Sequence, residues 1–256
     1  MTPPQQLTLA VAGATGMVGR HVVARARAAG HSVVPISRST GQDVVTGAGI
    51  AEALTGVDVV IDVTSVVTTR AREAVDFFTR ATDQLLAAEQ TAGVGHHVAL
   101  SIVGIDGETS GYYAGKVAQE RLVAAGPVPW TLLRATQFHE FAAQLVQRTA
   151  VGPVVVVPAM RVATVAAVEV AGALVALAAG GPRGRVADLG GPDEAELADL
   201  VRQYLAATGQ RRRVLRLPLP GAAGRRMRDG RLVPGPGADR GRVPFGEWLG
   251  APGSGR

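Results

Sequence analysis

The chain contains no cysteine. That excludes a disulfide scaffold, thiolate catalysis and cysteine-ligated metal. Aromatic residues make up 4% and charged residues 18% of the 256 positions, whereas 47% are hydrophobic. The core must therefore be Val, Ala and Leu, which suits strands buried on both faces between helices. No apolar run reaches the roughly 20 residues that cross a bilayer. The longest candidate, around 165–179, carries Glu169 and reads as a buried helix. A basic start followed by an apolar stretch is missing at the N-terminus, so no signal peptide and a cytoplasmic location are expected. The five histidines fall in no metal-ligand spacing, and His96 and His97, adjacent on a strand, should point to opposite faces. No metal is expected.

Lysine is almost missing too. Of 26 basic residues, Lys116 is the one lysine and the rest are arginine. The net charge is +5, with arginines clustered late at Arg211, Arg212, Arg213, Arg216, Arg225, Arg226 and Arg228. Such a cluster is either a solvated face or a surface for an anionic partner. Without a helix-turn-helix, a zinc finger or an aromatic-interleaved basic stripe, nucleic acid is not an expected partner.

What is present is an alternation. Apolar runs at 7–12, 32–36, 57–63, 97–101 and 130–133 read as strands. Helical spacing marks 17–29, 48–55, 70–92, 112–125 and 137–149, several of them stopped by Gly30, Gly56, Gly93 or Gly126. Alternating strands and helices predict an α/β fold, a Rossmann-type doubly wound parallel sheet with right-handed crossovers. One domain is expected over 1–256, with a core at about 5–150 and a small C-terminal substrate-covering lobe at about 151–256. In that lobe, 154–157 and 186–189 read as short strands and 193–207 as an amphipathic helix. Residues 217–242 read as loop or short helix, and Phe245 to Leu249 as a docking cap.

The first strand runs directly into Gly13-Ala14-Thr15-Gly16-Met17-Val18-Gly19, and a helix opens at once. In that context Gly13 permits the tight turn, Gly16 exposes backbone amides, and Gly19 allows close helix–strand packing. The helix start at Met17 and Val18 offers unpaired N–H donors and partial positive charge to a pyrophosphate. Thr15 belongs to the same bend. The second strand ends Pro35-Ile36-Ser37-Arg38-Ser39-Thr40, where an NAD-preferring domain usually places a carboxylate for the ribose hydroxyl. Arg38 with Ser37 suits a 2′-phosphate instead, so NADP(H) is expected over NAD(H). Thr64 and Ser65, at the carboxyl end of the third strand, should lie by the cofactor.

Tyr112-Tyr113-Ala114-Gly115-Lys116 contains Tyr-x-x-x-Lys, which places Tyr112 and Lys116 on one helix face. A neighbouring cation should lower the phenol's pKa and make Tyr112 a usable acid or base for a carbonyl receiving hydride. The amine of Lys116 can also hydrogen-bond ribose hydroxyls. Ser101 ends the preceding strand and could bond the same carbonyl oxygen.

These residues resemble the short-chain dehydrogenase/reductase superfamily, in particular its atypical NmrA-like, NAD(P)-binding members. The resemblance rests on Gly-Ala-Thr-Gly-x-x-Gly, on the Ser-Tyr-Lys set, on Gly111 to Glu120, and on Pro129-Trp130-Thr-Leu-Leu-Arg134. It covers roughly 5–140 and implies that Asp43 borders the adenine. The family's Arg-Pro-x is here Arg134-Ala135-Thr136, which alters the nicotinamide-side loop; Thr136 is counted among the cofactor contacts. Thr136, Gln137, Phe138 and His139 should begin the substrate wall, with His139 an alternative acid or, more simply, a helix-surface histidine.

Such relatives include reductases of quinones, imines or alkenes and non-catalytic redox sensors. The expected function is hydride transfer from NADPH to a small organic carbonyl, quinone or related substrate by a monomer or homodimer. The alternative is an NADP-binding regulator without turnover. An epimerase or dehydratase of nucleotide sugars is disfavoured by length.

Overall fold

The computed structural model describes residues 6–251, which form two compact units. The first runs to Arg134 and takes up the chain again over Val170–Val186; the second comprises Ala135–Glu169 and the chain from Ala187 onward.

The first unit is built on five strands: β1 (Thr8–Ala12), β2 (Ser32–Ile36), β3 (Val59–Asp62), β4 (His96–Ile102) and β5 (Trp130–Ala135, whose last residue belongs to the second unit). Their order is β2-β1-β3-β4-β5. β1 pairs in parallel with both β2 and β3, and β3 with β4; Gly184–Arg185 adds a short parallel edge to β5. This is the expected Rossmann-type α/β sheet. Its direction of winding reverses at β1, and ligands of such sheets bind at the carboxyl ends beside that reversal. Leu9 to Ala12, Val60 and Ile61 are fully buried, which is why these strands read as continuous apolar runs rather than alternating ones.

The connecting helices are α1 (Met17–Ala28), a single turn α2 (Ile50–Ala53), α3 (Ala71–Ala92) and α4 (Gly111–Ala125). The two faces of the sheet are distinguished by the paired histidines, as expected. His97 bonds Glu89 of α3 at 2.8 Å, whereas His96 bonds Thr131 of β5 at 2.8 Å and lies against Ala178 of the helix Ala167–Ala179. Burial alone would push His97 down, but Glu89's charge and hydrogen bond, with Asp62, leave it raised.

Along α3, Ala74, Phe78, Ala81 and Leu85 are all buried, the spacing of one helical face. α4 meets that face with glycine: a Cβ on Gly115 would lie 2.6 Å from both the Ala74 carbonyl and the Phe78 ring. The helices can approach this closely only because that carbon is missing.

The second unit has a three-stranded sheet in the order Arg213–Leu217, Val154–Pro158, Ala150–Val151. Val155 and Val157 are fully buried. Its longer helices are Phe141–Thr149 and Leu197–Ala207. The helix expected from 137 starts only at Phe141, because residues 137 and 139 bond Val165 instead. The expected strand 186–189 resolves into Gly184–Arg185 and Leu189–Gly190. Arg213–Leu217 was not expected as a strand, since its arginines dominate the sequence pattern. His139 is 1% exposed and lies outside any helix, which corrects its reading as a helix-surface residue. Its ring bonds Thr164 at 2.8 Å and the Val243 carbonyl at 3.0 Å, and lies edge-on to Phe245 and tilted against Trp248. The segment Phe245–Gly250 thus docks on His139.

Gly115→Ala should destabilise the protein by about 2 kcal/mol, because overpacking forces two helix backbones apart. Gly172→Ala, where an added Cβ meets nothing within 4 Å, should be neutral or stabilise by up to about 1 kcal/mol. Urea unfolding of the two variants checks the pair; equal effects would contradict this packing.

Candidate functional site

The glycine bend after β1 is a meeting of main chains. Gly13 has φ +83°, and a Cβ there would lie 2.9 Å from the Val63 carbonyl. On Gly16 it would lie 3.1 Å, and on Gly19 only 2.0 Å, from the Gly13 carbonyl. The Gly13 amide donates to the Ile36 carbonyl at 3.0 Å, tying the bend to the end of β2. Thr15 and Gly16 are exposed, Met17 is half-buried and Val18 is buried. The bend is therefore open to a ligand at the start of α1, where the first amides have no intrahelical acceptor.

At the end of β2, Ser37, Ser39 and Thr40 form a compact hydroxyl cluster around Arg38. Ser37 Oγ lies 2.9 Å from Ser39 Oγ and 3.0 Å from Thr40 Oγ1, and the Ser37 amide donates to Thr40 Oγ1 at 2.9 Å. Arg38 is exposed within the resulting single turn. The Asp43 carboxylate accepts from the amide of Val45 at 2.8 Å, so it holds its own loop.

β3 ends in the buried Asp62, whose carboxylate accepts from the Thr64 amide at 2.8 Å. Thr64 is thereby fixed against Gly13, where the added Cβ would lie 3.1 Å from its amide nitrogen. Its hydroxyl is buried and has no partner among the described residues. The next residue, Ser65, lies with Oγ 2.9 Å from the Tyr112 hydroxyl. The phenol is thus joined to the glycine bend through two adjacent residues of the β3 turn.

Tyr112 sits in the first turn of α4, its ring edge-on to Phe78 at 5.5 Å between centroids. Its pKa is raised, by burial first; the Ser65 hydrogen bond pulls it down and the negative charge of Asp62 pushes it up. The expected lowering by Lys116 is not found. The ammonium of Lys116 is turned elsewhere: it donates to the Leu100 carbonyl at 2.6 Å and to Gln119 Oε1, and lies 4.7 Å over the Phe78 ring. Gln119 in turn donates to Asp62 Oδ2 at 2.7 Å. Burial lowers the lysine to about 8, while Asp62 and Glu120 act to raise it.

A buried chain of bonds therefore runs from Leu100 through Lys116 and Gln119 to Asp62 and Thr64. It links the ends of β4 and β3, where Ser101 and Ser65 follow. Sequence reasoning missed Asp62 and Gln119. The signal available was a carboxylate closing an otherwise apolar strand. Ser101 is buried and its hydroxyl has no partner among the described residues. Thr136, in the second unit, donates its hydroxyl to the Ala163 carbonyl at 2.5 Å. Among the described residues no group of three or more His, Cys, Asp or Glu could hold a metal, and no helix is long and apolar enough to cross a membrane.

A family model described as NAD(P)H-binding matches residues 13–178, from the glycine bend through α4 and beyond. The chain belongs to that NAD(P)H-binding family. Similar solved structures include MoeE5 in complex with UDP-glucuronic acid and NAD (18% identity, 94% of this chain and 96% of that one, TM-score 0.71). A nucleoside-diphosphate-sugar epimerase from Staphylococcus aureus is 15% identical over 95% of this chain and 99% of its own, with a TM-score of 0.67. An NADPH-dependent quinone oxidoreductase from Escherichia coli is 17% identical over 94% and 98%, with a TM-score of 0.62. At such identities these likenesses establish the fold. No curated protein matches the sequence.

A nicotinamide dinucleotide fits the residues present. Every glycine of the bend occupies a place that a Cβ would fill, the bend is open to solvent, and the Thr64 hydroxyl beside it is uncommitted.

The depressed lysine gives a pH test of the buried chain. A cation whose folded pKa is about 8 against an ordinary 10.5 destabilises the fold most below pH 8. The penalty fades as pH rises toward 10.5. The unfolding free energy of the wild type should therefore rise with pH over that window relative to Lys116→Met. Parallel pH profiles in urea would show that Lys116 keeps an ordinary pKa and is not buried as described.

Proposed function

We propose that the protein is an NADPH-dependent oxidoreductase that reduces a small organic carbonyl, quinone or related substrate, with Tyr112 as its proton donor. The observation that carries this reading is the hydrogen bond at 2.9 Å between Tyr112 and Ser65. It sets an ionisable hydroxyl on the β3 turn, next to the glycine bend, to which this reading assigns the dinucleotide.

In this reading the backbone at Gly13, Thr15, Gly16, Met17 and Val18 holds the pyrophosphate. Ser37 and Arg38 hold the 2′-phosphate through charge-assisted bonds, and Asp43 shapes the loop beside the adenosine. Thr64 and Ser65 line the cofactor from β3. Thr136 has its hydroxyl engaged by the Ala163 carbonyl and takes no side-chain part in this reading. Bound NADPH supplies hydride. Tyr112, kept protonated by its raised pKa, gives its phenolic proton to the substrate oxygen as that oxygen gains charge. Ser65 then donates to the phenolate. Ser101, whose hydroxyl is uncommitted, polarises the carbonyl. Lys116 acts beneath the site as a positioning residue, fixing the Leu100 carbonyl next to Ser101 and, through Gln119 and Asp62, the turn that carries Ser65. The preference for NADP rests on Arg38 and the absence of a carboxylate at the end of β2.

Length gives no ground against a nucleotide-sugar reaction, since the Staphylococcus aureus epimerase aligns over 99% of its own chain. The experiment decides instead. NADPH should bind at least about tenfold more tightly than NADH (about 1.4 kcal/mol), and Arg38→Ala should erase the difference. Consumption of NADPH is then followed against quinones and carbonyls. Tyr112→Phe should lower kcat by about 10²-fold or more, the scale of a lost general acid, with NADPH affinity kept. Undiminished turnover in Tyr112→Phe would remove the tyrosine from the chemistry. Tight NADPH binding with no consumption of any substrate would favour a sensor.

A further inference from the structure

In the second unit, the end of the helix Leu197–Ala207, the turn that follows and the start of the strand Arg213–Leu217 enclose a shallow depression of about 490 Å³. Four arginines line it: Arg202 from the helix, Arg211 and Arg212 from the turn, and Arg213 from the strand. Leu205, 3% exposed, closes it from below. No carboxylate is among its lining residues. Arg202 is paired with Asp199 one turn earlier, and Arg212 donates to the Gly152 carbonyl at 3.3 Å. The guanidinium groups of Arg211 and Arg213 make no hydrogen bond or ion pair among the described residues.

Most other arginines of this unit do not stand in this way. Arg161 pairs with Glu194, Arg216 with Glu196 and Arg231 with Asp229. Of the four like charges gathered here only Arg202 has a counter-charge, so the others repel one another, and a guanidinium offers a planar fork of donors that matches phosphate oxygens. The volume lies within the range of small-molecule sites. None of the lining residues is aromatic, so the stacking platform that single-stranded nucleic acid uses is missing.

We propose that this depression binds a compact, multiply charged phosphate anion, free or carried on a small organic molecule. Arg211 and Arg213 supply the principal contacts, and Arg202 and Arg212 add to the field.

The test titrates inorganic triphosphate calorimetrically into the full chain and into Arg211→Gln/Arg213→Gln. Both side chains are on the surface, and an unchanged circular dichroism spectrum confirms that the variant folds. Any phosphate affinity of the glycine bend is common to the two proteins, so the difference reports on the depression alone. One saturable site in the wild type, weakened about tenfold or more in the variant, is expected. Equal binding by the two proteins, or no saturable heat in the wild type, would overturn the proposal. A nucleoside triphosphate in place of inorganic triphosphate separates the two sources. Binding as tight as the inorganic anion means that phosphate alone is read, and tighter binding that is also lost in the variant means that the organic part is read as well. Binding of a single-stranded oligonucleotide without binding of triphosphate would overturn the assignment in favour of a nucleic-acid surface.

Discussion

One missing carbon atom governs the first unit. With a Cβ on Gly19 only 2.0 Å from the Gly13 carbonyl, α1 could not start where it does, and the bend between β1 and α1 would open. Gly13 is close-packed on its other side too, where an added Cβ would lie 2.9 Å from the Val63 carbonyl and 3.1 Å from the Thr64 amide of the β3 turn. Three stretches of backbone thus touch without intervening side chains. Thr15 and Gly16, between the two touching glycines, remain exposed at the start of α1. The contact also sets the position of Thr64, hence of Ser65, hence of the hydroxyl to which Tyr112 is bonded. Packing and site are one constraint here, because the same absence of side chains permits both.

Beneath that contact lies a second ordering device, and it is polar. Burying an ammonium costs several kcal/mol unless its donors are met. Lys116 meets them with the Leu100 carbonyl, Gln119 and the face of Phe78. Gln119 works in both directions, accepting from the lysine and donating to Asp62. A chain of this kind fixes two strand ends relative to one helix more tightly than apolar packing would, since each bond has a direction. It also accounts for the one lysine in a chain that otherwise uses arginine. A guanidinium is planar, carries five donors and resists deprotonation, and a site with two oxygen acceptors and an aromatic face cannot satisfy it.

The parts of this architecture that were legible in the sequence are those in which a local pattern and a tertiary role coincide. β2 could be bounded at Ser32–Ile36 because a glycine stop and a serine turn frame its apolar run. The bend at Gly13–Gly19 could be read because glycine is required there for a backbone reason. Tyr-x-x-x-Lys gave the helix face correctly but not the direction of the lysine side chain. That direction follows the Leu100 carbonyl and Gln119, itself bonded to Asp62, which lies 54 residues earlier in the sequence than Lys116, and no spacing rule connects the two. Arg161–Val162 and Ala195–Glu196 pair with each other, yet a two-residue strand has no period to detect. In Arg213–Leu217 the arginines hid a strand held by its register with Val154–Pro158. His139 looked like a surface residue because its partners, Thr164 and Val243, come from distant parts of the chain.

The electrostatics of Tyr112 bear on direction. A phenol held near ordinary pKa by an adjacent cation could serve as acid or base equally well. Here burial and the fixed charge of Asp62 favour the neutral form, and the only opposing influence is a hydroxyl, Ser65. A group held in this way is protonated at neutral pH and gives up its proton only to an oxygen whose basicity rises during the reaction. That is the requirement of carbonyl reduction, in which negative charge develops on the substrate oxygen as hydride arrives at carbon. Oxidation of an alcohol uses the same group as a base, and the surroundings of Tyr112 move that use to higher pH. In the proposed reading, nucleotide binding draws on the glycine bend and Arg38, and the hydroxyl pair Ser65–Tyr112 is left for the chemistry. Within the proposed reading, then, the pair Ser65–Tyr112 supplies the acid that turnover needs, and its charge environment favours the protonated form from which reduction starts.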